Sequence, residues 1–244
     1  MPGRAVPAPL PTPPNPALDM CVHAHPYKER FEMKHLIALF AAAGIASAAH
    51  ADVLANWTFE VSVPADAGPH AAEGGIYGGN ATGFHNDSAA VYSNPVGNGS
   101  FESFSSNTWQ ADDYYQFTTS TLGYQDITFQ WSQTRSSTGP GDFRVQFSTD
   151  GVSFSDLLNY TIDNITWSSN SFNPNSVFGP IALPAAANNQ ATIYVRLTSN
   201  VAGSSTAGTN RVDDIFIEGT LIPAPGTFAL VALSGLVAAR RRRN

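Results

Sequence analysis

The sequence predicts an all-β fold, an antiparallel β-sandwich of the jelly-roll kind, and three observations carry that expectation. Apolar residues alternate with polar ones: Ile127, Phe129 and Trp131 with Thr128, Gln130 and Ser132; Phe143, Val145 and Phe147 with Arg144, Gln146 and Ser148; Ile193, Val195 and Leu197 with Tyr194, Arg196 and Thr198. A period of two marks strands buried on one face. No stretch between Asp52 and Ile222 keeps a helical period, and the breaks are rich in Gly, Asn and Ser. Many such strands with such turns pack as two sheets, and about 170 residues suffice for one core.

In chain order, strands are expected at Val53 to Val61, Tyr114 to Thr119, Val177 to Leu183 and Val212 to Leu221, besides the three alternating runs. Asp150-Gly151, followed by Val152 and Phe154, reads as a hairpin turn. Gly74 to Gly99 holds seven glycines with Asn and Ser between them and reads as a plain connection across the sandwich. No internal repeat is visible.

Both ends differ from this body. Residues 1–32 are Pro-rich without hydrophobic periodicity. Residues 33–51 then carry Lys34 and His35, the apolar run Leu36 to Ala46, and Ala49-His50-Ala51. That is a signal peptide with an A-x-A cleavage site at Ala49 and Ala51. Its place behind a Pro-rich leader implies that translation starts at Met33 and that the mature domain is residues 52–222. Residues 223–244 form a tail: Pro223-Ala224-Pro225-Gly226, an uncharged apolar run from Thr227 to Ala239, then Arg240, Arg241, Arg242 and Arg243. As a helix the run reaches only ~20 Å, short of a hydrocarbon core of ~30 Å, and the arginines favour the cytoplasmic side. A short transmembrane helix, held briefly as a sorting signal, fits that pattern.

This tail resembles the PEP-CTERM sorting domain of Gram-negative bacteria, with Pro223, Pro225, Gly226, the apolar run and Arg240 to Arg243 matching and Ala224 standing where the family has Glu. The resemblance implies recognition by a membrane sorting protease of the exosortase type, and export to the cell surface or extracellular matrix. The body is also similar to the globular part of such proteins, at Ala55-Asn56-Trp57-Thr58-Phe59-Glu60, at Ser136 to Pro140, at Phe147 to Phe154 and at Arg211-Val212-Asp213-Asp214-Ile215. It implies an exported protein of undefined ligand.

The composition narrows the chemistry. Residues 52–222 contain four arginines, no lysine and sixteen carboxylates, a formal charge of −12. Such a surface repels polyphosphate and argues against nucleic-acid binding. The one cysteine, Cys21, lies before the signal peptide, so the mature domain has no disulfide. It has two histidines, His70 and His85, and no G-x-S-x-G motif. A secreted hydrolase is therefore the least favoured class, and no catalytic residue is assigned.

Two binding chemistries remain. Glu60 with Asp213 and Asp214 is a candidate structural calcium site tying the first strand to the last, since calcium takes oxygen ligands. Asp112-Asp113 is a second candidate. The competing reading for both is turn carboxylates bonded to local amides. Trp109 and Trp167 lie among Ser, Asn and Gln, and are the aromatics expected to be exposed for stacking sugar rings; Trp57 and Trp131 fit the core pattern. The leading expectation is a non-enzymatic exported surface or matrix protein, its partners the membrane, the sorting protease and exopolysaccharide. The alternative is a carbohydrate-binding module on the same scaffold.

Overall fold

Alternation along the chain becomes twelve strands in a computed structural model, which describes residues 50–223. They are β1 (Ala51–Trp57), β2 (His70–Ala71), β3 (Asn80–Phe84), β4 (Tyr92–Ser93), β5 (Phe104–Ser106), β6 (Tyr114–Thr119), β7 (Tyr124–Arg135), β8 (Asp142–Ser148), β9 (Ser155–Thr161), β10 (Val177–Ala182), β11 (Ile193–Ser199) and β12 (Asn210–Leu221). The helical content of the described residues is two three-residue 3-10 turns, Pro174–Ser176 and Ala185–Ala187. Among the described residues no helix is long and apolar enough to cross a membrane.

All strand pairs are antiparallel and form two sheets. The first runs β10-β7-β12-β5-β4, with β1 also on β12; the second runs β2-β3-β6-β11-β8-β9. Their inner faces meet through aromatic rings. Trp57 of the first sheet lies 5.3 Å from Phe117 of the second, Phe104 lies 4.9 Å from Tyr115, and Trp131 lies 5.2 Å from Tyr160. These residues other than Tyr160 are fully buried, as are Phe129, Phe143, Ile193, Val195, Leu197, Ile215 and Ile217. Tilted and edge-on ring pairs add about 0.5–1.5 kcal/mol each beyond the area they bury.

β12 carries two partners on one edge, β5 and β1, placed end to end. β5 pairs with Asn210 to Val212, and β1 with Ile215 to Thr220. Asp213 and Asp214 fall in the gap, where the pairing of β12 with β7 also shifts register. A shift of this kind interrupts the regular ladder and re-aims the side chains at that point.

The three alternating runs fall in β7, β8 and β11, and the further strand expected at Tyr114 to Thr119 is β6. The hairpin at Asp150-Gly151 joins β8 to β9. Asp150 accepts from Val152 N, Ser153 N and the Ser148 hydroxyl, and these bonds hold its carboxyl at about 2. Gly151 takes φ 72°, with the Tyr194 ring 3.0 Å from where a Cβ would stand. The first strand ends at Trp57, short of Val61, because residues 58–62 wrap the Glu73 carboxylate. The stretch from Gly74 to Gly99 is not a plain connection: it contains β3, paired along β6, and β4. β3 buries only Ala81 and so shows no apolar alternation. The signal peptide through Ala49 and the tail beyond Pro223 lie outside the described residues; Ala51 opens β1.

Candidate functional site

The outer face of the second sheet is an ordered grid. Its inner-facing residues Ala81, Tyr115, Phe117, Val195, Leu197 and Val145 are fully buried, so the alternating partners point away from the core. Register aligns them in rows across four strands. Phe84, Tyr114, Thr198 and Arg144 form one row; Thr82, Gln116, Arg196 and Gln146 the next. The Phe84 and Tyr114 rings stack at 5.0 Å and 16°. The Arg196 guanidinium carbon lies 3.8 Å from the Tyr114 ring centre and 3.6 Å from that of Phe154. Arg196 Nε donates to Gln116 Oε1 at 2.8 Å, and Thr198 Oγ1 to Gln146 Oε1 at 2.8 Å. Arg144 donates to Asp112 and Asn200 at 2.6 Å and lies 3.4 Å from Asp156. The result is a fixed, half-exposed array of aromatic rings and hydrogen-bonding groups.

On the first sheet, the gap between β5 and β1 gathers carboxylates. Asp213 is fully buried. Its Oδ2 accepts from Asn98 N at 2.8 Å and the Ser100 hydroxyl at 2.7 Å, and its Oδ1 from Asp214 N at 2.8 Å. Gly97 passes so close that a Cβ there would stand 2.1 Å from Asp213 Oδ2. Burial and the Asp214 charge push Asp213 up to about 7, although its three donors pull the other way. Burial and the Glu60 charge push Asp214 up to about 6. Glu60 is brought here because β1 ends opposite Ile215, and Glu73 then grips the turn at Thr58, Glu60, Val61 and Ser62. Glu60 Oε1 in turn accepts from Glu102 N at 2.7 Å. Asp214 thus lies close enough to repel Asp213 and to be repelled by Glu60. Among the described residues no three His, Cys, Asp or Glu side chains converge in metal-ligating geometry.

Asp112 and Asp113 have a different setting. Asp112 pairs with Arg144 at 2.6 Å. Asp113 is fully buried and accepts from Asn86 N and Nδ2 and from Gln110 N. His85 Nδ1 lies 2.8 Å from its Oδ2, and His85 Nε2 lies 2.9 Å from Ser106 Oγ. Burial, opposed by Asp113 and Asp87, lowers the histidine pKa, and Nδ1–H donates to the Asp113 carboxylate. Ser–His–Asp distances alone would suit nucleophilic catalysis. Yet the His85 side chain is 2 % exposed and Ser106 and Asp113 are fully enclosed, under the rings of Trp109 and Tyr92. Ser106 also bonds Tyr115, whose hydroxyl donates to Asn210 O. This is a polar tie between the sheets that no substrate reaches.

Trp109 and Trp167, which their polar neighbours in the sequence would put at the surface, are both buried, at 1 % and 3 % exposure. Those neighbours are partners and not solvent: Trp109 Nε1 donates to Ser106 O and Trp167 Nε1 to Ser176 Oγ. His70 and His85 make no shared site; His70 Nε2 lies 3.0 Å from Asp66 O, whereas His85 faces Asp113. The residues that sequence reasoning missed, Tyr114, Arg196 and Phe154, were visible only as the outward members of alternating strands. Which strands stand side by side is fixed by sheet order, and alternation does not report it.

No family model matches the chain, and no curated protein sequence matches it. Solved structures similar to it include the K2 cleaved adhesin domain of Lys-gingipain (TM-score 0.43, 14 % identity, 66 % of this chain and 97 % of that one). The K1 cleaved adhesin domain of Lys-gingipain from Porphyromonas gingivalis gives a TM-score of 0.40 at 14 % identity, over 68 % of this chain and 97 % of that one. The CBM22-1 xylan-binding domain of Xyn10C from Paenibacillus barcinonensis gives 0.38 at 10 % identity, over 73 % and 99 %.

Proposed function

We propose that this is an exported, non-enzymatic β-sandwich protein that binds polysaccharide on the outer face of its second sheet. The observation that carries the reading is the open grid of Phe84, Tyr114, Gln116, Gln146, Tyr194 and Arg196, aligned across four strands. Aromatic faces suit the C–H faces of sugar rings, and amide, hydroxyl and guanidinium groups suit their hydroxyls. Groups already fixed by one another lose little entropy on binding. The first sheet offers no such plane near its acidic gap, because Asn98 bonds Ser132 and Asn173 and draws two loops across it. Titration of the purified full-length protein against a panel of bacterial and plant polysaccharides tests the reading. Binding that is lost in Tyr114→Ala with the fold intact supports it; binding unaffected by that change, or no binding at all, refutes it.

A calcium ion at the gap between β5 and β1 is the second element of the reading, favoured by the raised Asp213 and Asp214 carboxyls beside Glu60. The donors are hard oxygens, and a divalent cation would offset their repulsion with main-chain carbonyls completing the set. Export by residues 33–51, and brief membrane anchoring and processing of a PEP-CTERM-like tail by an exosortase-type protease, rest on the sequence alone. Mass spectrometry of surface-associated protein decides the last point: an intact Asn244 on stably anchored material would refute processing.

A further inference from the structure

We infer that the ligand of this face is an acidic glycan, with a sugar carboxylate seated on the edge of the Arg196 guanidinium; the inference rests on the polysaccharide-binding reading. The body has four arginines, and two of them, Arg144 and Arg196, lie on this one face. Their states differ. Arg144 is matched, by Asp112, Asp156 and Asn200. Arg196 has no carboxylate partner among the described residues; its one side-chain hydrogen bond uses Nε, to Gln116. The Tyr114 and Phe154 ring centres lie 3.8 and 3.6 Å from its guanidinium carbon. Two packed rings and the bond at Nε hold the group in place, and its two terminal nitrogens make no hydrogen bond among the described residues. Burial lowers the guanidinium pKa, against the pull of Tyr114, which marks a cation partly stripped of water without a counter-charge.

A planar fork held this way matches a carboxylate through two parallel N–H···O bonds, and a neutral hydroxyl cannot use both. Arg144 offsets one of its two carboxylate neighbours, Asp112 and Asp156, and Gln146 also donates to Asp156, while neither carboxylate pairs with Arg196. The net negative charge of the body acts at longer range and is screened beyond about 8 Å at physiological salt. Long-range repulsion weakens the approach of any polyanion, as it does for polyphosphate, and the contact pair decides the preference of carboxylate over ester. A uronic-acid polymer, with carboxylates on rings that also present C–H faces to the exposed Phe84 ring, is the fitting chemical class.

The test is titration of the full-length protein at physiological salt with sodium polygalacturonate, with the same polymer fully methyl-esterified, and with a neutral β-glucan. The acid form should bind about ten-fold or more tightly than its ester. Arg196→Gln should erase that preference, and Arg196→Lys should fail to restore it, with near-ultraviolet circular dichroism unchanged. Equal binding of acid and ester, or a preference that survives Arg196→Gln, overturns the inference while leaving polysaccharide binding standing. Binding to none of the three overturns it as well, and the broader function then depends on the wider panel.

Discussion

The dipeptide Asp-Asp occurs twice in this body, at Asp112-Asp113 and Asp213-Asp214, and the fold treats the two in opposite ways. In each, one carboxylate is fully buried and its neighbour bends the backbone to positive φ: Asp113 with Asp112 at 71°, Asp213 with Asp214 at 49°. At the first pair the charges are answered, Asp112 by Arg144 and Asp113 by His85, Asn86 and Gln110. At the second they are compounded, Asp213 by Asp214 and Asp214 by Glu60. Burial with partners makes a structural tie. Burial beside like charge makes a cost that a cation would remove.

The contrast can be broken most severely at the satisfied pair. Asp113→Ala would leave Asn86 N, Gln110 N and the His85 ring without their acceptor in the core, and should cost about 3 kcal/mol or more in denaturant-unfolding free energy. A loss under 1 kcal/mol would mean that water replaces the carboxylate. Calcium should act at the other pair. At 100 times its Kd it would stabilise by about 2.7 kcal/mol if the unfolded chain does not bind it. A melting temperature unchanged between EDTA and millimolar calcium removes the ion from the reading.

The pH dependence sharpens the same contrast. Asp213 and Asp214 have folded values of about 7 and about 6 against an ordinary 3.8, so in EDTA their contribution is intact below pH 3.8 and is lost as pH rises towards 7. His85 runs the other way: its folded value lies below 6.5, so its contribution is intact above 6.5 and is lost as pH falls through the folded value. Calcium, which needs ionised carboxylates, should stabilise most above pH 7 and little below 5. Equal calcium effects at both ends would place the ion elsewhere.

Smaller effects separate the second members of each pair, half-buried Asp214 and exposed Asp112. Asn tolerates positive φ about as well as Asp, so Asp214→Asn tests charge and not backbone strain. In EDTA at pH 8 it should stabilise by about 1 kcal/mol by relieving repulsion, and it should abolish the calcium response. Destabilisation there would show that the Asp214 carboxylate already has a favourable partner. Asp112→Asn removes an ion pair whose acid is 73 % exposed, and should shift stability by less than about 1 kcal/mol. A larger loss would show that Arg144 is strained without it.

Legibility in the sequence followed the kind of interaction. Alternation at Phe143 to Ser148 and Ile193 to Ser199 reports which face of a strand is buried, and those strands stand where it puts them. Trp109 and Trp167 misled because Ser and Asn around an indole signal hydrogen-bond partners as readily as solvent. β3 hid among glycines because it contributes one small residue, Ala81, to the core. Glu60, Asp213 and Asp214 are legible in the sequence as a candidate cluster, and the structure brings these residues into electrostatic reach.

By itself the sequence determined an all-β body, its apolar faces, its lack of disulfides and its acidity, because period and composition are properties of neighbouring residues along one chain. Tertiary structure alone decided which Asp-Asp pair meets a cation and which meets a further carboxylate, and that Arg196 packs against both Tyr114 and Phe154. Those outcomes depend on strand order and register. Residues as far apart as Asp113 and His85, or Asp213 and Ser100, meet only when the sheets close, and no local pattern encodes a partner 28 or 113 positions away.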